Sequence, residues 1–411
     1  MTWMRLFGLL SLAALWVLGG SPAAAKATLV LGFKGTHEDY MAVQELVEEF
    51  NQSRTDIEAS VTNMAAGGSW IERLSVWFAA GTPPDVIKME YQRSVGYVAQ
   101  GLVQPLDPFI ARDSEFDLGQ FFPIAVAAHT FGGQVYALPQ EAQPFTIFIN
   151  KTHLDRVGLD MPSIDWTVDD LLEAAKKGTI DSSGDGVPDI YGWAFDTSFT
   201  RIEPFLRAFG GQLLADDLSR FVLDSPESVE ALQFLHDAIH VHGVRGGNFL
   251  QRNVLIYSFG GPWSVPQYRR SLPDVAWDIL PAPGGPGGRG TTLGSDGYYI
   301  ASDTQYPDAA WELVKFITSE KSLERLMQHG TILPARSALV DAFMQLHGEQ
   351  PPENLAAYMK GIEIAFPTSV FPNFVQAEQL FIQSLNEVWN GNVPVRTAVE
   401  NLVPQLNNYL R

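Results

Sequence analysis

The amino-acid sequence predicts an α/β fold divided into two lobes. Strand-like and helical segments alternate from residue 28 to residue 259, as they do where helices cover a sheet. Of the 411 residues, 386 follow the first 25, and this is more than one hydrophobic core normally holds. Hydrophobic residues make up 46% of the chain and aromatic residues 11%, which argues against disorder.

The first 25 residues have the three-part pattern of a secretory signal peptide. Arg5 and the amino terminus carry positive charge, the stretch 6–18 is almost wholly apolar, and small residues precede the cleavage position expected after Ala25. Cleavage after Ala27 is the alternative. The apolar run is shorter than the roughly 20 residues of a membrane-spanning helix, and no later segment resembles one. We therefore expect an exported protein without a membrane anchor.

The first third of the sequence predicts strands separated by helices. The strands are expected at 28–33, 57–61 and 85–89. Apolar residues repeat at helical spacing over 40–50 and 71–78, which predicts the helices between them. Thr36 is the expected amino-terminal cap of the first helix, with Asp39 three residues further on. This order predicts a mostly parallel sheet flanked by helices.

The alternation continues and then gives way to helices in the last third. Further strands are predicted at 146–150, 191–195, 254–259 and 277–280. Further helices are predicted at 168–177, 226–240, 309–318, 323–328, 376–389 and 397–410. The low-complexity stretch 281–290 is expected to form a loop. Its glycines lack the lysine-serine or lysine-threonine ending of a phosphate loop, so we expect no phosphate site there.

Cysteine usage and charge limit the compartment and the partners. The chain has no cysteine, so it can form neither disulfide bonds nor a lipid attachment through cysteine. A free exported protein is retained by an outer wall, which favours the periplasm over simple secretion. The chain carries 47 acidic and 27 basic residues, and a surface of this sign repels nucleic acid and anionic lipid. We expect a monomer with neither of these as a partner.

Four short segments occur in a familiar order along the chain. They are Gly81–Ile87, Gly132–Pro139 continuing to Ile149–Lys151, Gly260–Trp263, and Ala309–Thr318 followed by Pro334–Arg336. In this order and spacing the chain resembles the family 1 extracellular solute-binding proteins, whose best-known relative is maltose-binding protein. The resemblance implies the type II periplasmic binding protein fold, with three crossings between two α/β lobes and a ligand cleft that closes by hinge motion. It places one lobe at 26–141 and 295–334, and the other at 142–294 and 335–411.

The function that the resemblance implies is solute capture for an ABC importer. We expect a non-catalytic periplasmic protein that binds a di- or oligosaccharide or a sugar-like polyol and delivers it to the membrane permease. The alternative is an exported glycoside hydrolase, which needs two carboxylates roughly 5–10 Å apart. Glu90, Glu141 and Asp296 are the residues that could supply such a pair.

A sugar-binding cleft needs polar side chains for the hydroxyl groups and flat aromatic rings for the C–H faces. Such side chains converge on the turns that follow the strands of an α/β sheet. Trp263 follows Gly261 and a proline at the end of a predicted strand, and the alternative for its ring is the core. Glu90 and Tyr91 follow the strand at 85–89, with a solvated loop as the alternative.

The predicted crossings and turns supply the remaining ligand candidates. Glu141, preceded by Gln140, aligns with a cleft carboxylate in the resemblance to maltose-binding protein, and Asp296 marks the second crossing. A hinge-surface role is the alternative for both carboxylates. Arg336 at the third crossing either binds the ligand or forms a salt bridge between the lobes. Other wall candidates, with a turn or core position as the alternative, are Gly35 and Trp70, and secondary ones are Trp193, Asp196 and Asn373.

The segment 181–189 has the beginning of a calcium loop. Asp181, Asp185 and Asp189 occupy its first, fifth and ninth places, Ser183 is a weaker third-place ligand, and Gly192 replaces the glutamate of the twelfth. The alternative is a surface turn rich in aspartate and glycine. We expect no cofactor apart from this one candidate for a structural calcium ion.

Overall fold

The computed structural model describes residues 26–66, 68–328, 332–347 and 350–410. The predicted signal peptide, residues 1–25, lies outside this part of the chain. No helix in the described ranges combines the length and the apolar character needed to cross a membrane.

Strands and helices alternate through most of the described chain. The strands are β1 Ala27–Phe33, β2 Ile57–Asn63, β3 Val86–Glu90, β4 Thr130–Phe131, β5 Gln134–Val135, β6 Ala137–Pro139, β7 Gln143–Pro144, β8 Thr146–Asn150, β9 Tyr191–Phe195, β10 Val254–Gly260, β11 Trp277–Leu280, β12 Thr291–Gly294, β13 Asp296–Ile300 and β14 Ala365–Phe366. The helices are α1 His37–Ser53, α2 Trp70–Ala79, α3 Tyr91–Ala99, α4 Asp107–Arg112, α5 Pro123–Ala128, α6 Lys151–Val157, α7 Val168–Gly178, α8 Phe199–Ala208, α9 Pro226–His240, α10 Val265–Ser271, α11 Pro307–Ile317, α12 Glu320–Gln328, α13 Val340–His347, α14 Ala356–Ile364, α15 Phe374–Trp389 and α16 Val395–Leu406.

Two sheets form the centres of the two lobes. The first sheet has the strand order β2-β1-β3-β13-β6, and the second has the order β11-β8-β10-β9. The sheets are mixed, so the prediction of mostly parallel sheets is wrong. In the first sheet β1 runs parallel to β2 and β3, but β13 is antiparallel to β3 and β6. In the second, β10 is parallel to β9, but β8 is antiparallel to both of its neighbours.

The antiparallel strands have a common physical origin. A parallel connection within one sheet needs a crossover, usually a helix. β8 and β13 each follow a short strand, β7 and β12, after a gap of one residue, so no such crossover precedes them. β7, β12 and β14 form a third, three-stranded sheet between the two lobes, which we call the joining sheet.

The three predicted crossings lie side by side next to the joining sheet. The backbone N–H of Gln140 donates to the carbonyl of Asp296 at 2.8 Å, and that of Ala335 donates to the carbonyl of Gln140 at 3.0 Å. Glu141 also forms an isolated bridge with Pro334. The sheet memberships agree with the expected division of the chain, but the exact limits of the lobes stay a prediction.

The second sheet has a hydrophobic core on each of its faces. Ile147 and Ile149 of β8 belong to a cluster with residues of α7, α8, α9, α15 and α16, whereas Phe148 between them belongs to a different cluster. This is the alternation expected of a strand that is buried on both faces. The cluster that contains Phe148 also includes the buried residues that pack between the first sheet and the helices α1, α11 and α12. Of the tryptophans in apolar patterns, Trp277, Trp311 and Trp389 are buried, and Trp77 is partly buried.

Several local predictions are confirmed. The strands at 146–150, 191–195 and 277–280 and the helix at 226–240 have the predicted bounds. At the start of α1, the Thr36 hydroxyl accepts from the backbone N–H of Asp39 at 3.1 Å, and the Asp39 carboxylate accepts from that of Thr36 at 3.0 Å. The predicted last helix is shorter than expected, because α16 ends at Leu406 and a 3-10 turn follows it.

Candidate functional site

A cavity of about 430 Å³ lies between the two lobes, a size in the range of small-molecule sites. Its walls are mostly polar and carry five carboxylates and three cationic side chains. The lining residues are Lys34, Glu90, Gln92, Arg93, Glu141, Gln143, Phe145, Asp196, Ser198, Thr200, Arg201, Trp263, Gly294, Ser295, Asp296, Phe374 and Glu378.

The sheet topology explains why chemically distant residues meet at this cavity. Lys34 follows β1 and Glu90 ends β3, and these parallel strands have their carboxyl ends at one edge. Asp296 begins the antiparallel strand β13 and pairs with Glu90, so it reaches the same edge. On the opposite wall Asp196 and Trp263 follow β9 and β10, another parallel pair.

Trp263 presents an open aromatic surface to the cavity. Its side chain is 37% exposed, which is unusual for so large an apolar group. The ring lies against Gly261, where an added Cβ would meet a ring atom at 2.1 Å, so only glycine leaves room for this orientation. The ring of Phe145 meets it edge-to-face at a centroid distance of 5.1 Å and an angle of 68°. The indole is therefore fixed from behind while part of its surface stays free.

The acidic groups on the wall of the first sheet are neutralised by lysines. Lys34 Nζ lies 2.5 Å from Glu90 Oε1 and 2.9 Å from Asp296 Oδ1. Lys88 Nζ lies 3.1 Å from Asp296 Oδ2. Burial alone would raise the pKa of the Asp296 carboxyl, but the two lysines outweigh burial and lower it. Asp296 is thus a fixed anion with acceptor capacity.

The carboxyl group of Glu141 has a different environment, because its hydrogen-bond donor is an uncharged amide. Gln140 Nε2 donates to Glu141 Oε2 at 2.7 Å, and Gln140 Oε1 in turn accepts from the Tyr298 hydroxyl at 2.5 Å. Burial raises the pKa of the Glu141 carboxyl to about 7, although Lys88 opposes this shift. Gln140, predicted to bind ligand, does not line the cavity; it is buried behind Glu141 and orients that carboxyl.

One ion pair connects the two walls at the cavity. Arg93 is on α3, which follows the first sheet, and Glu378 is on α15, which packs against the core of the second. Arg93 Nη2 lies 3.4 Å from Glu378 Oε2, and Arg93 Nε lies 3.8 Å from Glu90 Oε2.

Arg201 and Gln143 are cavity residues that the sequence analysis missed. The guanidinium of Arg201 lies 4.1 Å from the Phe145 ring centroid and 5.8 Å from that of Trp263, within cation–π range. Burial lowers its pKa, which Asp196 and Glu378 oppose. Gln143 pairs with Gly294 in the joining sheet and is 4% exposed. Neither follows a strand of the main sheets directly, so the strand-end rule could not find them.

Tyr91 and Arg336, both predicted to bind ligand, do not line the cavity. Tyr91 is fully buried at the start of α3, where its hydroxyl donates to the Leu293 carbonyl at 3.2 Å and accepts from the Thr368 N–H at 2.8 Å. Arg336 Nε donates to the Thr318 carbonyl at 2.6 Å, and its guanidinium also bonds the Gln120 side chain. Both residues hold structural segments in place behind the cleft.

The other predicted wall residues have different positions. Gly261 supports the Trp263 ring without lining the cavity, and Gly35 is exposed on the turn after Lys34. Trp70 does not line the cavity, although Lys34 Nζ lies 5.8 Å from its ring centroid. Of the secondary candidates, Trp193 is buried in the core, Asn373 bonds the Tyr409 carbonyl, and Asp196 lines the cavity.

The calcium candidate has the hydrogen bonds of a surface turn. The Asp181 carboxylate accepts from the N–H groups of Gly184 and Gly186 at 2.7 and 2.9 Å, and the Asp189 carboxylate accepts from Ser182 N–H at 2.6 Å. Ser183 donates to Asp181, and Asp185 accepts from a backbone N–H within the turn. Across the described ranges no group of three or more histidine or acidic side chains could hold a metal ion, so the structure gives this calcium prediction no ligand set.

Comparisons with known proteins agree with this architecture. A maltotriose-binding protein of Pyrococcus abyssi is 26% identical over 70% of this chain, which spans 59% of that relative's length. The structure of a Listeria monocytogenes ABC substrate-binding protein in complex with cycloalternan superposes with a TM-score of 0.82 at 21% identity, covering 93% of this chain and 98% of that one. The cyclic α-maltosyl-1,6-maltose binding protein of Arthrobacter globiformis gives 0.81 at 20% identity, covering 94% and 99%.

A family model assigns the chain to a protein family. The model for bacterial extracellular solute-binding proteins matches residues 34–324, which is more than half of the chain and includes most of the cavity residues. With the two-lobed fold and the interlobe cavity, this match shows that the chain belongs to the family of bacterial extracellular solute-binding proteins.

Proposed function

We propose that this protein captures a neutral di- or oligosaccharide, or a sugar-like polyol, in the cavity between its lobes. The observation that carries the proposal is the partly exposed ring of Trp263 in a cavity whose lining also includes carboxylates, amides and cations. Such a ring suits the C–H face of a sugar, and the polar groups suit the hydroxyls at its edge. A relative named for maltotriose and a structural neighbour bound to cycloalternan support this ligand class.

The proposed biological role is delivery of the solute to the permease of an ABC importer. The family description and the structural neighbour named as an ABC substrate-binding protein support this role. We also propose export through a signal peptide at residues 1–25, a periplasmic location without a lipid anchor, and a monomeric state. The pattern of residues 1–25 and the absence of cysteine support the first two.

The proposed mechanism is hinge closure between two lobes. One lobe comprises residues 26–141 and 295–334, and the other comprises residues 142–294 and 335–411. Glu90 and Asp296 line one side of the cavity, and Trp263 and Arg201 line the other. A ligand that contacts both sides interacts best when the lobes are close, so binding favours the closed conformation. The free energy of closure then comes from contacts that neither lobe makes alone.

The ionic contacts favour binding over glycoside hydrolysis. A hydrolase needs one carboxyl as acid and a second that is free to act as nucleophile or base. Glu90 and Asp296 both lie within hydrogen-bond distance of Lys34 Nζ, so each is held in an ion pair and neither is a free nucleophile or base. Glu141 has a raised pKa but no unpaired carboxylate partner among these residues.

A thermal-shift screen of the mature protein tests the proposed ligand class. Probes are maltose, maltotriose, trehalose, arabino-oligosaccharides, polyols and glycerol phosphodiesters. A ligand that binds only the folded state at a hundred times its Kd stabilises by about 2.7 kcal/mol, so Tm should rise clearly with one sugar class. The rise should disappear in Trp263→Ala.

The matched control for this screen is Tyr306→Ala. Tyr306 is also exposed, at 41%, but it lies at the start of α11 and does not line the cavity. Its variant should keep the full ligand-induced shift. A wild-type protein that responds to no carbohydrate or polyol, or a Trp263→Ala variant that responds as wild type does, would contradict the proposal.

A further inference from the structure

Two buried polar atoms on the cavity wall have no hydrogen-bond partner. They are Oε1 of Gln143, an acceptor, and Nη1 of Arg201, a donor. Among the described residues, these are the buried unpartnered side-chain atoms whose residues line the cavity. Buried polar atoms in native proteins nearly always have partners, so each exception calls for an explanation.

The opposite wall shows that this is not a general feature of the cavity. Lys34, Glu90 and Asp296 are joined to one another by contacts of 2.5 and 2.9 Å. Arg201, in contrast, lies against the faces of two aromatic rings and forms no side-chain hydrogen bond within the described chain. The unmet hydrogen-bonding capacity is thus concentrated on the wall that carries Trp263.

The two residues that carry these unpartnered atoms lie near the indole of Trp263. Arg201 lies 5.8 Å from the ring centroid of Trp263. Gln143 is the ladder partner of Gly294, and a Cβ built on Gly294 would lie 3.3 Å from the Trp263 ring and 3.4 Å from the backbone carbonyl oxygen of Gln143. A sugar ring resting on the indole would therefore lie beside both residues.

We propose that Gln143 and Arg201 bind two hydroxyl groups of a sugar ring stacked on Trp263. Gln143 accepts a hydrogen bond from one hydroxyl, and Arg201 donates a hydrogen bond to the other. This inference rests on the proposed function and names the specificity-determining pair of that site. Hydroxyl groups can both donate and accept, so one diol satisfies both residues. A carboxylate or phosphate group offers only hydrogen-bond acceptors, so it leaves Gln143 Oε1 without a donor.

The charges around Arg201 also favour a neutral ligand. The cavity wall carries the carboxylates of Glu90, Glu141, Asp196, Asp296 and Glu378 against the cations of Lys34, Arg93 and Arg201. Asp196 and Glu378 are close enough to Arg201 to act on it electrostatically. An anionic ligand beside Arg201 would meet these carboxylates as well.

The test compares binding with ligand-free stability in Gln143→Met and Arg201→Met. Methionine keeps much of the length of both side chains but removes the unpartnered polar atoms. We expect the ligand-free Tm of Gln143→Met to be unchanged or higher, because no protein hydrogen bond is lost. The ligand-free Tm of Arg201→Met should fall, because this variant loses the cation–π contacts with Phe145 and Trp263 and the charge interactions with Asp196 and Glu378. By isothermal titration calorimetry with maltotriose, or with the neutral sugar that gives the largest thermal shift, we expect at least about tenfold weaker binding by each variant.

A matched control is Gln104→Met, whose amide lies outside the cavity and donates to the Ala301 carbonyl at 3.0 Å. This variant should lose some stability and keep wild-type binding. Variants at Gln143 and Arg201 that bind like wild type, or a Gln143→Met variant that loses ligand-free stability as the control does, would overturn the inference.

The outcomes separate this inference from the proposed function. A wild-type protein that binds no carbohydrate or polyol refutes both. A wild-type protein that binds a neutral sugar while the two variants bind it equally well refutes the inference alone. Digalacturonate is the acidic probe, and tighter binding of digalacturonate than of every neutral sugar would overturn the assignment of Arg201 to a hydroxyl group.

Discussion

At the scale of single residues, the carboxyl groups of the cavity differ in how the unfavourable free energy of burying their charge is offset. Asp296 has two lysines within 3.1 Å, so its charge is stable in the folded protein. Within the described chain, the hydrogen-bond donor to the Glu141 carboxyl is the Gln140 amide. A neutral donor offsets less of the desolvation of a carboxylate than a cation does. Glu141 is therefore a cavity carboxyl whose charge can change near neutral pH.

Replacing Glu141 by glutamine should change how stability depends on pH. Burial raises the pKa of Glu141 from 4.5 to about 7, so the folded protein holds a proton that the unfolded chain releases between these pH values. Wild type therefore loses stability through Glu141 as the pH rises across this window. Glutamine cannot ionise, so the Tm of Glu141→Gln relative to wild type should rise with pH, measured by scanning calorimetry. A difference that stays constant would contradict the raised pKa.

The residue scale also shows which binding candidates a sequence can reveal. Glu90 and Trp263 were found because they stand next to predicted strand ends, where α/β folds gather polar groups, whereas Asp296 was found as the marker of the second predicted crossing. Tyr91 was misplaced because the chain enters α3 at this residue, and the helix turns its ring inward. Arg93 and Glu378 lie within helices, and no local pattern tells which helical charges face a cleft formed by another lobe.

At the scale of elements, Tyr91 connects α3 to the joining sheet and to the segment after β14. Its hydroxyl bonds two backbone groups, the carbonyl of Leu293 in β12 and the N–H of Thr368. The ring itself is fully buried, so water cannot replace these bonds. This contact fixes the helix that carries Arg93 relative to the strands that run between the lobes.

Replacing Tyr91 by phenylalanine should therefore destabilise the protein. The substitution keeps the ring but leaves two buried backbone groups without their partner, which costs about 1–3 kcal/mol for each unsatisfied group. Urea denaturation should show a lower midpoint with an unchanged slope, and the maltotriose affinity should change much less than in Trp263→Ala. Tyr306→Phe, at an exposed position, is the control and should match wild type. Equal midpoints for Tyr91→Phe and wild type would mean that these hydrogen bonds contribute nothing.

At the scale of the whole molecule, the sequence predicts the two lobes better than their sheets. Short apolar runs located the strands at 146–150 and 191–195, because such a run depends on local burial. The strand directions depend on where the chain goes next, and β8 and β13 enter their sheets straight from the joining sheet. β7, β12 and β14 have two to four residues each, too few for a periodic signal.

The joining sheet and the interlobe cavity together predict a ligand-dependent change of shape. Three crossings connect the lobes, and the cavity takes residues from both sheets, so a bound sugar that contacts Asp296 and Trp263 should draw the lobes together. Small-angle X-ray scattering should show a smaller radius of gyration with saturating maltotriose, or with the sugar that gives the largest thermal shift. Trp263→Ala at the same sugar concentration should keep the ligand-free value, because the ring supplies much of the contact on one wall. A radius that does not change while calorimetry detects binding would mean that the cavity is rigid, and that recognition by a permease cannot depend on closure.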